Sequence, residues 1–157
     1  MRTFADISEL RTAVGTHLGF SQWLEVTQEQ INRFAEATGD HQWIHVDEQK
    51  AAEGPFGTTI AHGFLTLSLI PTLVKQVYTV DGLAMGINYG SEKVRFPGVV
   101  PVGSHVRAGV ELLEVSMTES RARSRTRVTI ERQGSTKPVC FAEALALLVP
   151  NQDKKDQ

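Results

Sequence analysis

The stretch that decides the fold is IAHGFLTLSLIPTLVKQV, residues 60–77. Apolar side chains occur on nearly every side of this segment from Phe64 to Val77, a pattern typical of a helix that is buried on most sides. The segment is too short and too interrupted to cross a membrane. Pro71 lacks a backbone donor, so we expect the helix to kink or divide near residues 68–70.

Downstream of this segment, apolar residues recur with a period of two, which predicts strands with one wet face. The clearest case is the alternation of Val106, Ala108, Val110 and Leu112 with His105, Arg107, Gly109 and Glu111. Similar runs at 83–96, 121–131 and 138–149 complete a contiguous antiparallel set joined by turn-rich pieces. Together with the apolar helix, they predict the α+β class, with a sheet wrapped on one long helix.

Two shorter helices are predicted upstream of the apolar segment. Thr27 and Gln30 match a capping box at the start of the first helix, which continues to Gly39. Asp47 is the expected N-cap of the second helix, which stops at the Gly-Pro pair at 54–55.

Length and composition are those of one globular domain. The chain has 157 residues, of which 41% are apolar and 22% are charged. We expect the domain to span residues 1–150 and the polar segment 151–157 to be a disordered tail. The single cysteine, Cys140, lies in an apolar run, where a buried inert thiol is expected rather than a nucleophile.

Net charge and hydropathy limit the classes of partner that we expect the protein to bind. The net charge of −2 provides no field that favours nucleic acid, so no nucleic-acid partner is expected. No signal peptide or membrane span is recognisable, so we expect a cytoplasmic protein without a membrane partner. The substrate must therefore be recognised by local features of the chain.

A polar cluster, TGDHQWIH at residues 38–45, lies between the first helix and the apolar segment. Asp40 follows a glycine at a helix end, where the chain can turn sharply, and His45 lies five residues on. A carboxylate and an imidazole brought together by such a loop can share one water, which is what hydration of a polarised double bond requires. The alternative is that Asp40 caps a turn and His45 is a hydrogen-bonded surface histidine.

These residues form part of a longer resemblance. The stretch from Phe34 to Ala51, with TGD at 38–40 and IH at 44–45, resembles the signature of the MaoC-like, (R)-specific enoyl-CoA hydratases, also called hydratase 2. The segment IAHGF at 60–64 is similar to that family's entry into its central helix. A weaker third match is VRFP at 94–97 followed by PVG at 101–103. Together the matches cover most of residues 34–104 in the right order.

The resemblance implies a hot dog fold, in which an antiparallel sheet curls round one long helix. It also implies that Asp40 and His45 are the catalytic pair. Gln42 and Trp43 stand where the family commonly has Asn-Pro, whose asparagine amide helps to hold the catalytic water or orient the pair. Gln42 keeps an amide on a longer stem. Trp43 lacks the rigidity of proline but has the bulk to form a wall of the substrate pocket.

Gly63 has a physical case of its own as an oxyanion donor. Near the start of a helix its N–H is unpaired and lies at the positive end of the helix dipole. Such a donor suits a thioester oxygen that gains enolate charge, and the missing side chain allows close approach. The alternative is a glycine needed only for packing against the sheet. His62 is expected to form part of the pocket wall rather than to act as a second base.

Other candidate binding residues are cationic or aromatic. Arg95 and Phe96 are candidates for contact with coenzyme A or its pantetheine arm, and the alternative for Arg95 is a surface cation at a strand end. One strand face carries four arginines that either meet coenzyme A phosphates or form a solvated face, namely Arg121, Arg123, Arg125 and Arg127. The histidines at 41, 62 and 105 show no metal-ligand spacing. Neither a metal nor a cofactor is therefore expected, coenzyme A being part of the substrate.

The resemblance and the Asp40–His45 pair together predict reversible hydration of a trans-2-enoyl-CoA to the (R)-3-hydroxyacyl-CoA. The rivals are a dehydratase of acyl-carrier-protein thioesters, a thioesterase on the same fold, and a non-catalytic acyl-binding module. Hot dog domains usually pair edge to edge, so a homodimer with a continuous sheet is expected. By analogy with the family, the second subunit would hold part of the coenzyme.

Overall fold

The structure is a computed structural model that describes residues 1–118 and 120–151. Its helices are α1 (Ile7–Thr12), α2 (Gln28–Thr38), α3 (Trp43–Val46), α4 (Glu48–Ala52), α5 (Gly63–Ser68) and α6 (Ile70–Val77). Its strands are β1 (Arg2–Phe4), β2 (His17–Phe20), β3 (Leu24–Glu25), β4 (Tyr78–Val80), β5 (Leu83–Arg95), β6 (His105–Met117), β7 (Ala122–Arg132) and β8 (Cys140–Pro150). Apart from Asn151, the predicted tail lies outside the described residues.

Six strands form one antiparallel sheet in the order β2-β6-β7-β8-β5, with β3 also pairing with β6. The four runs with a period of two are the four long strands, so the predicted antiparallel set is confirmed. The apolar members of the alternation on β6 are all fully buried, namely Val106, Ala108, Val110 and Leu112. Gly109 departs from the predicted wet face because the ring of Phe20 lies 2.9 Å from where its Cβ would stand.

The apolar segment forms two helices, α5 and α6, which meet at Leu69. Pro71 lies in the first turn of α6, where a missing N–H breaks no helical hydrogen bond, and the predicted division is confirmed. Leu65 and Leu73 are buried in the core, but Phe64 is 69% exposed. The expectation of burial on most sides is therefore wrong at the start of α5, because one face of the helix pair lines a cavity instead of the core.

The fold class, the cap of α4 and the burial of Cys140 agree with the predictions made from the sequence. Sheet and helices together form the predicted α+β arrangement, and α4 begins at the predicted cap, where the Asp47 carboxylate accepts a hydrogen bond from Lys50 N–H. Cys140 is fully buried, and burial raises the pKa of its thiol to about 11. The predicted burial of Cys140 is therefore confirmed, and its inertness stays a prediction.

The amino-terminal segment was not predicted as structure. β1 pairs with β4 in a separate parallel ribbon, and α1 follows it with Leu10 fully buried. Asp6 caps α1 by accepting a hydrogen bond from Glu9 N–H at 2.8 Å. None of the described helices is long and apolar enough to cross a membrane.

Candidate active site

Asp40 is placed by a sharp end to α2. Gly39 adopts the left-handed conformation (φ 77°) and donates its N–H to the Ala35 carbonyl at 2.8 Å. Glycine takes this conformation without the penalty of a Cβ, so the helix stops and Asp40 follows as an exposed residue. The predicted helix end and the capping box of Thr27 and Gln30 are both confirmed.

His45 is placed by the short helix α3, which was not predicted. Its N–H donates to the Gln42 carbonyl at 2.9 Å, which turns the chain back towards Asp40. His45 is only 7% exposed. The alternative of a surface histidine is therefore wrong.

The hydrogen bonds of His45 decide which ring nitrogen is free. Its Nδ1 lies 2.6 Å from the carbonyl oxygen of Ile60. A carbonyl only accepts, so Nδ1 carries the hydrogen and Nε2 of the neutral ring keeps a lone pair. Burial lowers the pKa of His45 below the ordinary 6.5; His62 also lowers it, while the Ile60 carbonyl and Asp40 act in the opposite direction. His45 is therefore held neutral, with Nε2 ready to accept a proton.

Asp40, His45 and His62 come together in one cluster. Each contributes a polar atom, and these atoms lie within 4.8 Å of one another. The two imidazoles are stacked, with centroids 3.8 Å apart and planes inclined by 27°. His62 is 3% exposed, and its Nε2 lies 2.9 Å from the backbone carbonyl oxygen of Asp40. The sequence-predicted pair thus has a third member.

Two histidines and a carboxylate are also a common set of metal ligands. The lone pair of a ligand nitrogen lies in the plane of its ring, and the stacked rings of His45 and His62 are inclined by only 27°. Lone pairs in such planes run nearly side by side and do not converge on one ion at about 2.0–2.1 Å. The near-parallel rings do not favour a metal site, and the expectation that no metal binds here stays a prediction.

Gln28, on α2, holds the backbone of this cluster and was missed in the sequence. Its Nε2 donates to the His45 carbonyl at 2.8 Å, and its Oε1 accepts from Thr59 Oγ1 at 2.5 Å. One side chain thus ties α2 to α3 and to the segment before α5. Its partners are 17 and 31 residues away, so no local pattern marks this glutamine.

Gly63 is the first residue of α5, and its N–H has no acceptor within residues 1–118 and 120–151. A Cβ at this position would stand 3.0 Å from the ring of Phe96, which follows β5. The structure is therefore compatible with both interpretations of Gly63, as an oxyanion donor and as a glycine needed for packing. The N–H is free for a ligand, and the side-chain-free surface is packed against Phe96 rather than against the sheet.

An apolar cavity of about 810 Å³ opens between the helix pair and the sheet, a size suited to a small-molecule ligand. Phe34 and Phe64 form the end of the cavity nearest the cluster, because the Phe34 ring lies 4.9 Å from the His62 ring and Phe64 follows Gly63. The remaining walls are mainly apolar and include Leu67, Val74, Ile87, Ala144 and Leu148. Asp40, His45 and His62 are not among the residues that line the cavity.

Of the remaining site candidates, Gln42 contacts the cluster, because its N–H donates to the Asp40 carboxylate at 3.4 Å. Gln42 is exposed and contributes its backbone carbonyl to α3. Trp43 packs its ring against Gly54 and lies 5.0 Å from the Lys50 ammonium. Arg95 is exposed and donates to a neighbouring backbone carbonyl. Trp43 and Arg95 do not line the cavity, and their roles in binding stay predictions.

The arginine row on β7 forms cross-strand ion pairs. Arg127 stands opposite Glu111 on β6 and Glu143 on β8, and contacts them at 2.8 and 3.7 Å. Glu143 has a side chain only 2% exposed and is also reached by Lys93 and Arg125. A hydrogen bond from Lys93 is the largest cause that lowers the pKa of Glu143. Carboxylates thus pair with Arg123, Arg125 and Arg127, three of the four arginines that were candidates for coenzyme phosphates.

We expect the free energy of unfolding to decrease as the pH falls below 6.5. Folded His45 has a pKa below 6.5, whereas a histidine of the unfolded chain titrates near that value. Between the two pKa values the unfolded state binds more protons, so the contribution is complete above 6.5 and is lost as the pH falls. Chemical denaturation between about pH 5 and pH 8 measures this slope. His45→Asn, which keeps a donor for Ile60, should show a shallower slope, and an equal slope would contradict the prediction.

Comparisons with known proteins agree with this geometry. Residues 9–135 match a family model described as a MaoC like domain. The chain is 53% identical over 150 residues to 3-hydroxyacyl-thioester dehydratase Z of Mycobacterium tuberculosis (strain ATCC 25618 / H37Rv), covering 95% of this chain and 99% of that protein.

Two solved structures extend the comparison. R-hydratase PhaJ1 from Pseudomonas aeruginosa, in the unliganded form, matches with a TM-score of 0.68 and 29% identity over 88% of this chain and 83% of that one. The (R)-hydratase from A. caviae involved in PHA biosynthesis matches with the same TM-score of 0.68 and 26% identity, covering 85% and 94%. The predicted hot dog fold is thereby confirmed.

Proposed function

This chain belongs to the MaoC-like domain family and is a hydro-lyase, and from that premise we propose that it adds water reversibly to a trans-2-enoyl-CoA to give the (R)-3-hydroxyacyl-CoA. The observation that carries the proposal is the Asp40 carboxylate beside a buried, neutral His45 whose Nε2 is free. The names of the relatives, a 3-hydroxyacyl-thioester dehydratase and two R-hydratases, support the same chemistry. The reaction needs no cofactor or metal.

In the proposed reaction, one water lies between the Asp40 carboxylate and His45 Nε2. Asp40 accepts a hydrogen bond that orients the water, and His45 takes the other proton as the water oxygen attacks the β-carbon. The double-bond electrons move towards the thioester oxygen and form an enolate. The α-carbon then takes the proton back from His45, so one water has been added and both side chains are restored.

The enolate oxygen needs a donor, and we assign this role to Gly63 N–H. The donor is fixed at the start of α5 and has no acceptor within the described part of the chain. A preorganised donor aimed at charge that develops in the transition state makes one of the larger contributions to catalysis. Phe96 packs on the same glycine, which favours its predicted contact with the pantetheine arm.

We propose that the cavity between the helices and the sheet holds the acyl chain. Its walls are mainly apolar and include the rings of Phe34 and Phe64, and the Phe34 ring lies 4.9 Å from the His62 ring of the polar cluster. An enoyl group placed at the cluster would therefore direct its apolar tail past these rings. The volume of about 810 Å³ favours acyl chains longer than four carbons.

We expect the product to have the R configuration. This expectation comes from the resemblance to the R-hydratases, because residue positions alone do not show which face of the alkene meets the water. The product formed from crotonyl-CoA is offered separately to R-specific and S-specific 3-hydroxyacyl-CoA dehydrogenases. NADH should appear only with the R-specific enzyme, and rapid NADH formation with the S-specific enzyme would refute the assignment.

We propose that the protein is a homodimer in which two β5 strands pair and make the sheet continuous. β5 is an edge strand, and it carries apolar side chains that are well exposed, with Met85 at 53%, Ile87 at 42% and Tyr89 at 59%. An unpaired apolar edge of this kind is a site for strand pairing. The second subunit would then lie near the substrate cavity, which Ile87 also lines, and hold part of the coenzyme.

Light scattering at micromolar concentration should show a dimer. Met85→Lys and Tyr89→Lys introduce charge along the proposed interface and should shift the protein towards the monomer. Met117→Lys is the matched control, since Met117 is 49% exposed at the end of β6. A stable wild-type monomer at micromolar concentration would refute the dimer.

A further inference from the structure

We propose that His62 is the positioning residue of this site, which anchors the backbone of Asp40 through one ring nitrogen and supports the His45 ring with its face. The inference rests on the proposed hydratase function. His62 therefore acts through the two proton-handling residues and not on the substrate.

The anchor is a hydrogen bond across a long sequence separation. His62 stands at the N-cap position of α5, but its side chain does not cap that helix. Its Nε2 lies 2.9 Å from the Asp40 carbonyl oxygen, 22 residues away, and the carbonyl accepts the Nε2 hydrogen. The other hydrogen bonds of Asp40 in the described chain, with Thr38 and Gln42, are 3.4 Å long. The bond from His62 is thus the shortest hydrogen bond of Asp40 in the described chain.

The imidazole of His62 contacts two other rings. The centroid of the His45 ring lies 3.8 Å away, and that of the Phe34 ring lies 4.9 Å away. The Nδ1 atom is buried and has no hydrogen-bond partner within the described residues. The hydrogen donated to Asp40 is on Nε2, so Nδ1 is the acceptor nitrogen of this tautomer.

The stacking of His62 on His45 also affects the pKa of His45. The titratable groups that face His45 are His62, at the start of α5, and Asp40, on the loop after α2. Two stacked imidazoles repel each other when both are protonated, so His62 adds to burial in keeping the pKa of His45 low. Replacing His62 by a neutral group removes this repulsion, and the pH below which activity is lost should rise.

Two substitutions separate the anchor from the ring contact. His62→Phe keeps a ring against His45 but removes the donor, and His62→Gln restores a donor that can reach the Asp40 carbonyl. With crotonyl-CoA, His62→Phe should lower kcat about tenfold to a hundredfold with little change in KM, as expected when a catalytic group is misplaced. His62→Gln should recover most of kcat, with the acid limb of kcat/KM moved to higher pH. His41→Gln is the matched control, because His41 is an exposed histidine on the loop that carries Asp40.

Near-normal kcat in a folded His62→Phe protein would overturn the proposal, as would equal losses in folded His62→Phe and His62→Gln proteins. If either variant fails to fold, nitrogen-15 NMR of the wild-type imidazoles tests whether His62 donates to the Asp40 carbonyl. The neutral His62 imidazole should carry its hydrogen on Nε2, and a hydrogen on Nδ1 instead would overturn the anchor. Wild-type hydratase activity is measured first. Its absence would refute the proposed function, whereas the NMR result would still decide the anchor.

Discussion

Asp40→Asn and His45→Gln should each lower kcat for enoyl-CoA hydration by roughly a hundredfold to ten-thousandfold, with KM little changed. Asp40→Asn removes the charge that orients the water and stabilises a protonated His45. His45→Gln removes the lone pair on Nε2 that accepts the proton. Both replacements are close in size to the original side chain, so the pocket keeps its shape while proton transfer is lost.

His45→Asn separates the loss of the base from the loss of a structural bond. The asparagine amide can donate to Ile60 much as His45 Nδ1 does at 2.6 Å, but it supplies no base at the Nε2 position. This variant should therefore be as inactive as His45→Gln. Its melting temperature should be closer to that of the wild type than the melting temperature of His45→Gln is. Steady-state kinetics and thermal melting on the same samples measure both effects.

The Asp40→Asn and His45→Gln changes should not add. If both residues act on one water in one step, the double variant should be scarcely slower than the slower single variant. Additive losses would mean that the two residues serve separate steps. Near-normal activity in Asp40→Asn with an unchanged melting temperature would mean that Asp40 only caps the turn after α2.

Gly63→Pro should lower kcat by about a hundredfold to a thousandfold, because it removes the proposed oxyanion donor. Proline fits the first position of a helix, where the N–H has no helical partner. The preceding residue, His62, has φ −58° and ψ 140°, which is the extended conformation that a residue before proline adopts. The loss of rate should therefore come without a broken helix.

Gly63→Ala is the matched control for this substitution. It places the same Cβ 3.0 Å from the Phe96 ring but keeps the N–H. Both variants should lose similar stability from this contact, and only Gly63→Pro should lose the additional rate. If Gly63→Ala is as slow as Gly63→Pro, the glycine serves packing against Phe96 and the oxyanion assignment is wrong.

Sequence alone predicts the elements whose signals lie within a few residues. The Thr27 capping box, the end of α2 at Gly39 and the division near Pro71 all depend on neighbouring backbone groups, and all three are found in the structure. Asp40 and His45 could be proposed together for the same reason. They lie on one short loop, so their approach needs only a local turn.

Contacts between distant segments could not be predicted in this way. The partnership of His62 with Asp40 depends on how the start of α5 packs against the loop after α2, and a histidine in an apolar run does not indicate its neighbours. The row of arginines on β7 showed a charged face but not the carboxylates opposite, because pairing Arg127 with Glu143 requires the register of β7 and β8. The short helix α3 has no side-chain cap at Gln42, so it gave no local signal.

The most direct test of the central claim is the loss of enoyl absorbance when the purified protein is mixed with crotonyl-CoA or a longer trans-2-enoyl-CoA. The double variant that combines Asp40→Asn with His45→Gln is measured beside it. We predict that the wild-type protein consumes the enoyl group without added metal or cofactor, and that the double variant is at least about a hundredfold slower. No consumption by the folded wild-type protein, or equal rates in both proteins, would contradict the assignment of this chain as an enoyl-CoA hydratase that works through Asp40 and His45.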